Sequence, residues 1–197
     1  MNIKTQLENK LGVNSGLYLN DIDMDPMSIK AIMINEVVPS DPAQDFYGQV
    51  DAEYMKTTIP LFQRAGLDVS SIQDILQRGI YITNAVKTPK TEYAIEKISI
   101  EKSLPYLEKE VLLFPRVQVI MLMGDVAKKA FNMITKKATN KNAVPSVSTY
   151  NIRSSEIYYG SIRVMPSYIM TGGNILIEKS KFQMASEDIA IMANLIK

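Results

Sequence analysis

The sequence predicts an α/β fold, a three-layer α/β/α sandwich around a central, mainly parallel sheet of four strands. Four short apolar runs of the kind buried on both faces of a sheet recur along the chain. Segments of helical rhythm separate them, as right-handed crossovers between parallel strands require. The chain has 197 residues, 46% apolar and 22% charged, which is enough for one domain, 1–197, with a core that needs neither disulfide nor metal.

Ile3 to Leu11 has a helical rhythm, closed by Gly12 and the turn-forming Asn14-Ser15-Gly16. Ala31 to Ile34 reads as the first buried strand, running into a polar, proline-punctuated loop from Asn35 to Pro42. Helix is expected from Ala52 to Ala65, kinked or divided by Pro60, and again from Ser71 to Gln77. Ile80 to Thr83 is the second strand and ends at Asn84. Glu92 to Phe114 is a long helical stretch in which Pro105 would sit in the first turn of a new helix after a break. Pro115 stops it, and Val117 to Met123 is the clearest buried strand. Gly124-Asp125 then opens an amphipathic helix, Val126 to Ile134, followed by a polar loop or insertion from Thr139 to Ser155. Tyr158 to Met165 reads as a hairpin or final strand, and Ser186 to Ile196 as a closing helix capped by Ser186.

Composition removes whole classes of chemistry. There is no cysteine, so disulfides, thiolate zinc sites, cysteine nucleophiles and cysteine-held iron-sulfur clusters are excluded. There is no histidine either, which leaves carboxylates, hydroxyls, amides, lysines or an oxygen-bound metal for any catalysis. Net charge is +1, too small for bulk attraction to nucleic acid. The distribution is uneven: residues 1–54 hold nine acids and three lysines, whereas Val126 to Ser155 holds six bases and no acid. That basic stretch is either a solvated surface or a track for phosphates. No basic-then-apolar leader opens the chain and no apolar run reaches about 18 residues, so no membrane partner and a cytoplasmic location are expected.

In parallel α/β sheets, ligands bind beyond the carboxyl ends of the strands. Those ends are Asn35-Glu36, Asn84, Gly124-Asp125 and Pro166-Ser167-Tyr168. Each has an ordinary structural use as well: an asparagine closes a turn, an acid beside a loop is solvated, Gly124 allows a tight turn and Asp125 caps a helix. Phe46 and Tyr47 equally serve local packing, Gly172-Gly173-Asn174 serves a flexible turn, and the twelve methionines serve as core filling.

At these same positions the sequence resembles the uracil-DNA glycosylase superfamily, most closely its bacterial and archaeal branch that carries an iron-sulfur cluster. Ile32 to Ser40 looks like that branch's first motif, an apolar strand running into Gly-Glu-Ala-Pro-Gly, with one extra residue. Asp45-Phe46-Tyr47-Gly48 is similar to its Pro-Phe-Val-Gly, and Ile80 to Lys87 resembles the strand whose terminal asparagine reads uracil. Leu104 to Val117 and then Leu122-Met123-Gly124 are similar to the family's helix, proline, strand and Leu-Gly turn. Val164 to Tyr168 looks like the strand entering the His-Pro-Ser motif, with Ile169 at the histidine position.

The resemblance implies a uracil-DNA-glycosylase-like sandwich whose partner is DNA, single-stranded or uracil-containing. A base is flipped out, stacked on an aromatic ring and read along its pairing edge. Asn84 would do the reading, with Phe46 and Tyr47 as the stacking candidates. Glu36, with Asn35 beside it, would orient water or stabilise the cationic sugar. Ser167, Tyr168 or Thr171 would stand in for the absent histidine as donor to the departing base. No cofactor is expected, because the branch's cluster needs four cysteines. Three readings stay open: a base-excision glycosylase, a binding module that has lost hydrolysis, and a small-molecule protein that has reused the strand-edge pocket.

Overall fold

The computed structural model describes residues 1–197. Five strands, β1 (Ala31–Val37), β2 (Ile80–Val86), β3 (Val119–Met123), β4 (Ile157–Tyr159) and β5 (Ile162–Ser167), form one sheet in the order β2-β1-β3-β5-β4. The first three and β5 are parallel to their neighbours, and β4 returns antiparallel on β5. The sheet thus has five strands rather than four, because the segment expected as a hairpin or a last strand is both: Gly160, at φ 60°, turns β4 into β5. From β1 the chain steps to β2 on one side and later to β3 on the other, which puts the reversal of strand order at the carboxyl ends of β1 and β3.

Period-two alternation divides each central strand between two cores. Ile32, Ile34, Tyr81, Ile120 and Leu122 share a core with Leu7 of α1 (Ile3–Leu11) and with Leu107 and Phe131. Ala31, Met33, Ile82 and Met121 face the opposite way, toward α2 (Glu53–Arg64) and α3 (Ile72–Gln77). The first core is completed by α4 (Lys97–Val111) and α5 (Asp125–Thr139). The short α6 (Thr149–Ile152) and α7 (Asn174–Ile177) lead to α8 (Lys179–Leu195), which closes the second core. Seven of the twelve methionines, among them Met33, Met121 and Met165, lie in that second core, where their flexible side chains fill space between sheet and helices.

Three helix boundaries differ from expectation. Pro105 sits inside a continuous helix instead of opening a new one, α4 begins only at Lys97, and Pro60 does not divide α2. α8 starts seven residues before Ser186, whose hydroxyl donates back to the Gln183 carbonyl at 2.7 Å and caps nothing. The 139–155 stretch is not all loop, since it holds α6. No helix is long and apolar enough to cross a membrane.

The end of β2 is held from behind by a sealed polar cluster. The Lys87 ammonium, 1% exposed, pairs with the Glu110 carboxylate of α4 and donates to Thr83 Oγ1 at 2.6 Å. Tyr81 and Thr83 hydroxyls also donate to Glu110 Oε1, at 2.6 and 2.9 Å, and Asn20 donates to the Tyr81 oxygen at 2.7 Å. A buried ion pair gains most when further hydrogen bonds satisfy its partners, as the Thr83 and Tyr81 hydroxyls do here. It fixes the strand end that carries Asn84.

Candidate functional site

Register brings two of the expected residues together directly. Asn35 and Asn84 are partners across β1 and β2, and Asn35 Nδ2 donates to Asn84 Oδ1 at 2.7 Å. Asn84 Nδ2 donates in turn to Asp45 Oδ2 at 2.7 Å, and Thr171 Oγ1 donates to Asn35 Oδ1 at 3.2 Å. The relay Thr171, Asn35, Asn84, Asp45 is buried, with Asn35 at 0% and Asn84 at 2% exposure. The Asn84 amide therefore has a fixed orientation, and one N–H and one oxygen lone pair are left over.

Asp45 is the member of the relay that residue-by-residue reading passed over. Burial pushes its carboxyl up to about 6, against the hydrogen bonds from Asn84 and the Phe46 N–H that favour the charged form. The unfolded value, 3.8, lies below the folded one, so the folded state holds the proton more tightly. Stability from this group is complete below the unfolded value and is lost as pH rises toward the folded one. The stability difference between wild type and Asp45→Asn is expected to change by about 2 kcal/mol between pH 4 and pH 7, in the direction that favours the variant at pH 7. Urea denaturation at the two pH values checks this; a pH-independent difference rules it out.

Glu36, the next residue after Asn35 on β1, points to the other face of the strand and is half-buried. Its Oε1 accepts the Val126 N–H at 3.1 Å. The N-cap of α5, Gly124, has no side chain to offer, so Glu36 acts as the cap from a neighbouring strand, and its charge suits the positive end of the helix. The fit is close: Gly124 has φ 110°, and a Cβ there would lie 2.4 Å from Glu36 Oε1. Burial raises the Glu36 carboxyl above its ordinary value, and the Val126 N–H works against that rise.

Glu36 lines a cleft of about 380 Å³ together with Gly124, Ser167, Tyr168, Ile169 and Lys181 of α8. It lies at the reversal point of the sheet, where such folds place their ligands. The hydroxyls around it are not equally free. Ser167 donates to Asp188 at 2.6 Å, and that carboxylate is paired with Arg153 at 2.9 Å. Thr171 is spent on Asn35. Tyr168, half-exposed, and Tyr150, exposed, make no side-chain hydrogen bond within the protein and leave their hydroxyls to meet a ligand. Lys181 holds Glu178 at 2.6 Å.

The two aromatic candidates stand apart from this cleft. Phe46 is 1% exposed in the second core, its ring 5.2 Å from that of Tyr54. Tyr47 stacks on Tyr81 at 5.9 Å, and its hydroxyl oxygen accepts the Ile82 N–H at 3.1 Å. Both line a separate hollow of about 290 Å³ with Met55 and Ile72. The structure thus gathers Asn35, Asn84 and Thr171 into one buried relay and Glu36, Ser167 and Tyr168 around one open cleft.

A family model described as the Uracil DNA glycosylase superfamily matches residues 40–176, well over half of the chain. The chain belongs to the uracil DNA glycosylase superfamily. No curated protein matches it. The matched region takes in Asp45, Asn84 and Ser167 to Thr171 and begins just after Asn35 and Glu36. The iron-sulfur cluster found in one branch of the superfamily does not fit this chain, which has no cysteine and no group of three or more acidic, histidine or cysteine side chains placed to hold a metal ion. Asp45, Lys181 and the Arg153–Asp188 pair escaped the sequence reading; only Asp45, immediately before Phe46-Tyr47, lay inside a motif that marked it.

Proposed function

We propose that this protein recognises a pyrimidine-type base extruded from DNA and hydrolyses its N-glycosidic bond, using a three-layer uracil-DNA-glycosylase-like scaffold. The observation that carries the reading is the convergence of Glu36 from β1 and Tyr168 and Ile169 after β5 on one cleft at the sheet's reversal point. A cleft of this size suits a single base and its sugar. Glycosidic cleavage builds positive charge on the sugar and negative charge on the base. Glu36, held through Oε1 alone, has a second oxygen to orient water or face the cationic sugar. Asn84 has a donor and an acceptor to spare for the base's amide edge, but it is 2% exposed and outside the cleft lining, so this reading requires the bound base to open the relay around it. Tyr168 is the donor for the departing base in place of the missing histidine.

The test is base release from single- and double-stranded oligonucleotides carrying one uracil, followed by alkaline cleavage of the abasic product, beside Glu36→Gln. Release that depends on Glu36 supports the proposal. Tyr168→Phe, which removes only the hydroxyl, is expected to slow release by about 10²–10³-fold while leaving the melting temperature unchanged, given the usual value of one positioned donor.

A second reading, recognition without hydrolysis, is favoured by Ile169, an apolar side chain, 37% exposed, at the place where the family resemblance puts histidine. Uracil-dependent binding with no release at enzyme excess would establish it over the first.

A further inference from the structure

The structure sorts the basic stretch from Val126 to Ser155 into spent and unspent charges. Arg153 pairs with Glu187 and Asp188, and Lys137 lies 3.5 Å from Glu108. Lys128, Lys129 and Lys136 instead line one groove of about 560 Å³ between α5 and the chain from Asn142 to Ser148. Lys129, Met133 and Lys136 follow one another at helical spacing, so they share a face of α5. From Lys129 to Lys136 the groove runs roughly 11 Å along the helix axis, about three nucleotide steps of a strand.

The far wall is built in advance. Asn132 exchanges two hydrogen bonds with Val144, at 2.8 and 2.9 Å, and Lys128 Nζ donates to the Val147 carbonyl at 2.9 Å. Lys128 is also 3.2 Å from Asp125, which makes it a strut. Lys129 and Lys136 are exposed and pair with no acid. Lys136 in the last turn suits the helix dipole, but Lys129, in the second turn, gains nothing from it. Met133 and Val147 are the only apolar residues in the lining, so the groove suits a hydrated, charged ligand. It is continuous with the Glu36 cleft, because Asp125 and Ser148 line both.

We infer that this groove seats the sugar-phosphate backbone of the strand whose base enters the cleft, with Lys129 and Lys136 contacting its phosphates. The inference rests on the base-recognition reading above. Each lysine that neutralises a phosphate releases bound counterions, so its contribution appears in the salt dependence of affinity.

The experiment titrates the full-length protein with fluorescent single-stranded oligonucleotides, identical except for one uracil or thymine, across about 50–200 mM salt. Wild type is compared with Lys129→Ala/Lys136→Ala and with a control, Lys10→Ala/Lys102→Ala, on exposed lysines of α1 and α4. In the groove variant the slope of log K against log salt is expected to become shallower by about 1.4, from two contacts at about 0.7 each, with the control unchanged. Binding whose slope is the same in the groove variant and wild type overturns the groove and leaves base recognition standing. A shallower slope with no preference for uracil over thymine supports the groove and removes selection against the thymine methyl from the base reading. Absence of binding at the lowest salt removes both.

Discussion

Glu36→Gln is expected to slow uracil release by about 10²–10⁴-fold, the usual range for a positioned acid-base or charge-stabilising group. Glutamine is the informative replacement because Glu36 has two jobs. Its Oε1 accepts the Val126 N–H at the start of α5, and the carboxamide oxygen can keep that bond. Only the charge and the second acceptor oxygen are lost, so the melting temperature should stay near that of wild type while the rate falls. The pH profile separates the two jobs further. Because burial holds the Glu36 carboxyl above its ordinary value of 4.5, wild-type release should rise with pH through that elevated value and then level off. The variant should lack this limb. Single-turnover assays from pH 4 to pH 8 measure both quantities, and a rate unchanged by the substitution would remove Glu36 from the chemistry.

Glu110→Leu is expected to destabilise the protein by about 3–5 kcal/mol, because it strands the Lys87 ammonium in the interior without a counter-charge. Lys87 is 1% exposed and would keep only Thr83 Oγ1 as acceptor. The hydroxyls of Tyr81 and Thr83 lose their common acceptor as well. Lys87→Met should cost a similar amount by the mirror argument, leaving a buried carboxylate. The double variant Lys87→Met/Glu110→Leu should recover much of the loss, since a buried pair replaced by apolar groups is often nearly neutral. Denaturant titrations of all four proteins close the cycle, and strict additivity of the two single effects would show that the pair does not act as a unit.

The residues show why some of this was legible in the chain and some was not. β1, β2 and β3 are apolar runs bounded by turn chemistry, and their alternation into two cores follows from period two alone. β4, legible only as one arm of the hairpin that Tyr158 to Met165 also allowed, has three residues and pairs antiparallel at the edge, where burial leaves little pattern. The division of the candidate site came from one boundary. A first strand ending at Ile34 leaves Asn35 and Glu36 together in a loop, whereas β1 runs to Val37 and sends them to opposite faces. Phe46 and Tyr47 look like free rings in the sequence, but their partners, Tyr54 and Tyr81, reach them only after α2 and β2 have docked. Lys87 and Glu110 lie on separate elements, and nothing local marks either as the other's counter-charge. The strand ends, by contrast, follow from topology, and they named Glu36, Gly124, Ser167 and Tyr168, all of which line one cleft.

Glu36 and Gly124 occupy what is in effect a single volume: the carboxylate of one stands where the first side-chain carbon of the other would be. Positions 36 and 124 are therefore not free to vary separately. A side chain at 124 would displace the carboxylate from the start of α5 and leave the Val126 N–H to find another cap, on top of the strain of φ 110°. The bare α-carbon of Gly124 is therefore part of the seat of the Glu36 carboxylate, and the acid's position over the cleft depends on a residue that contributes no atom to the chemistry.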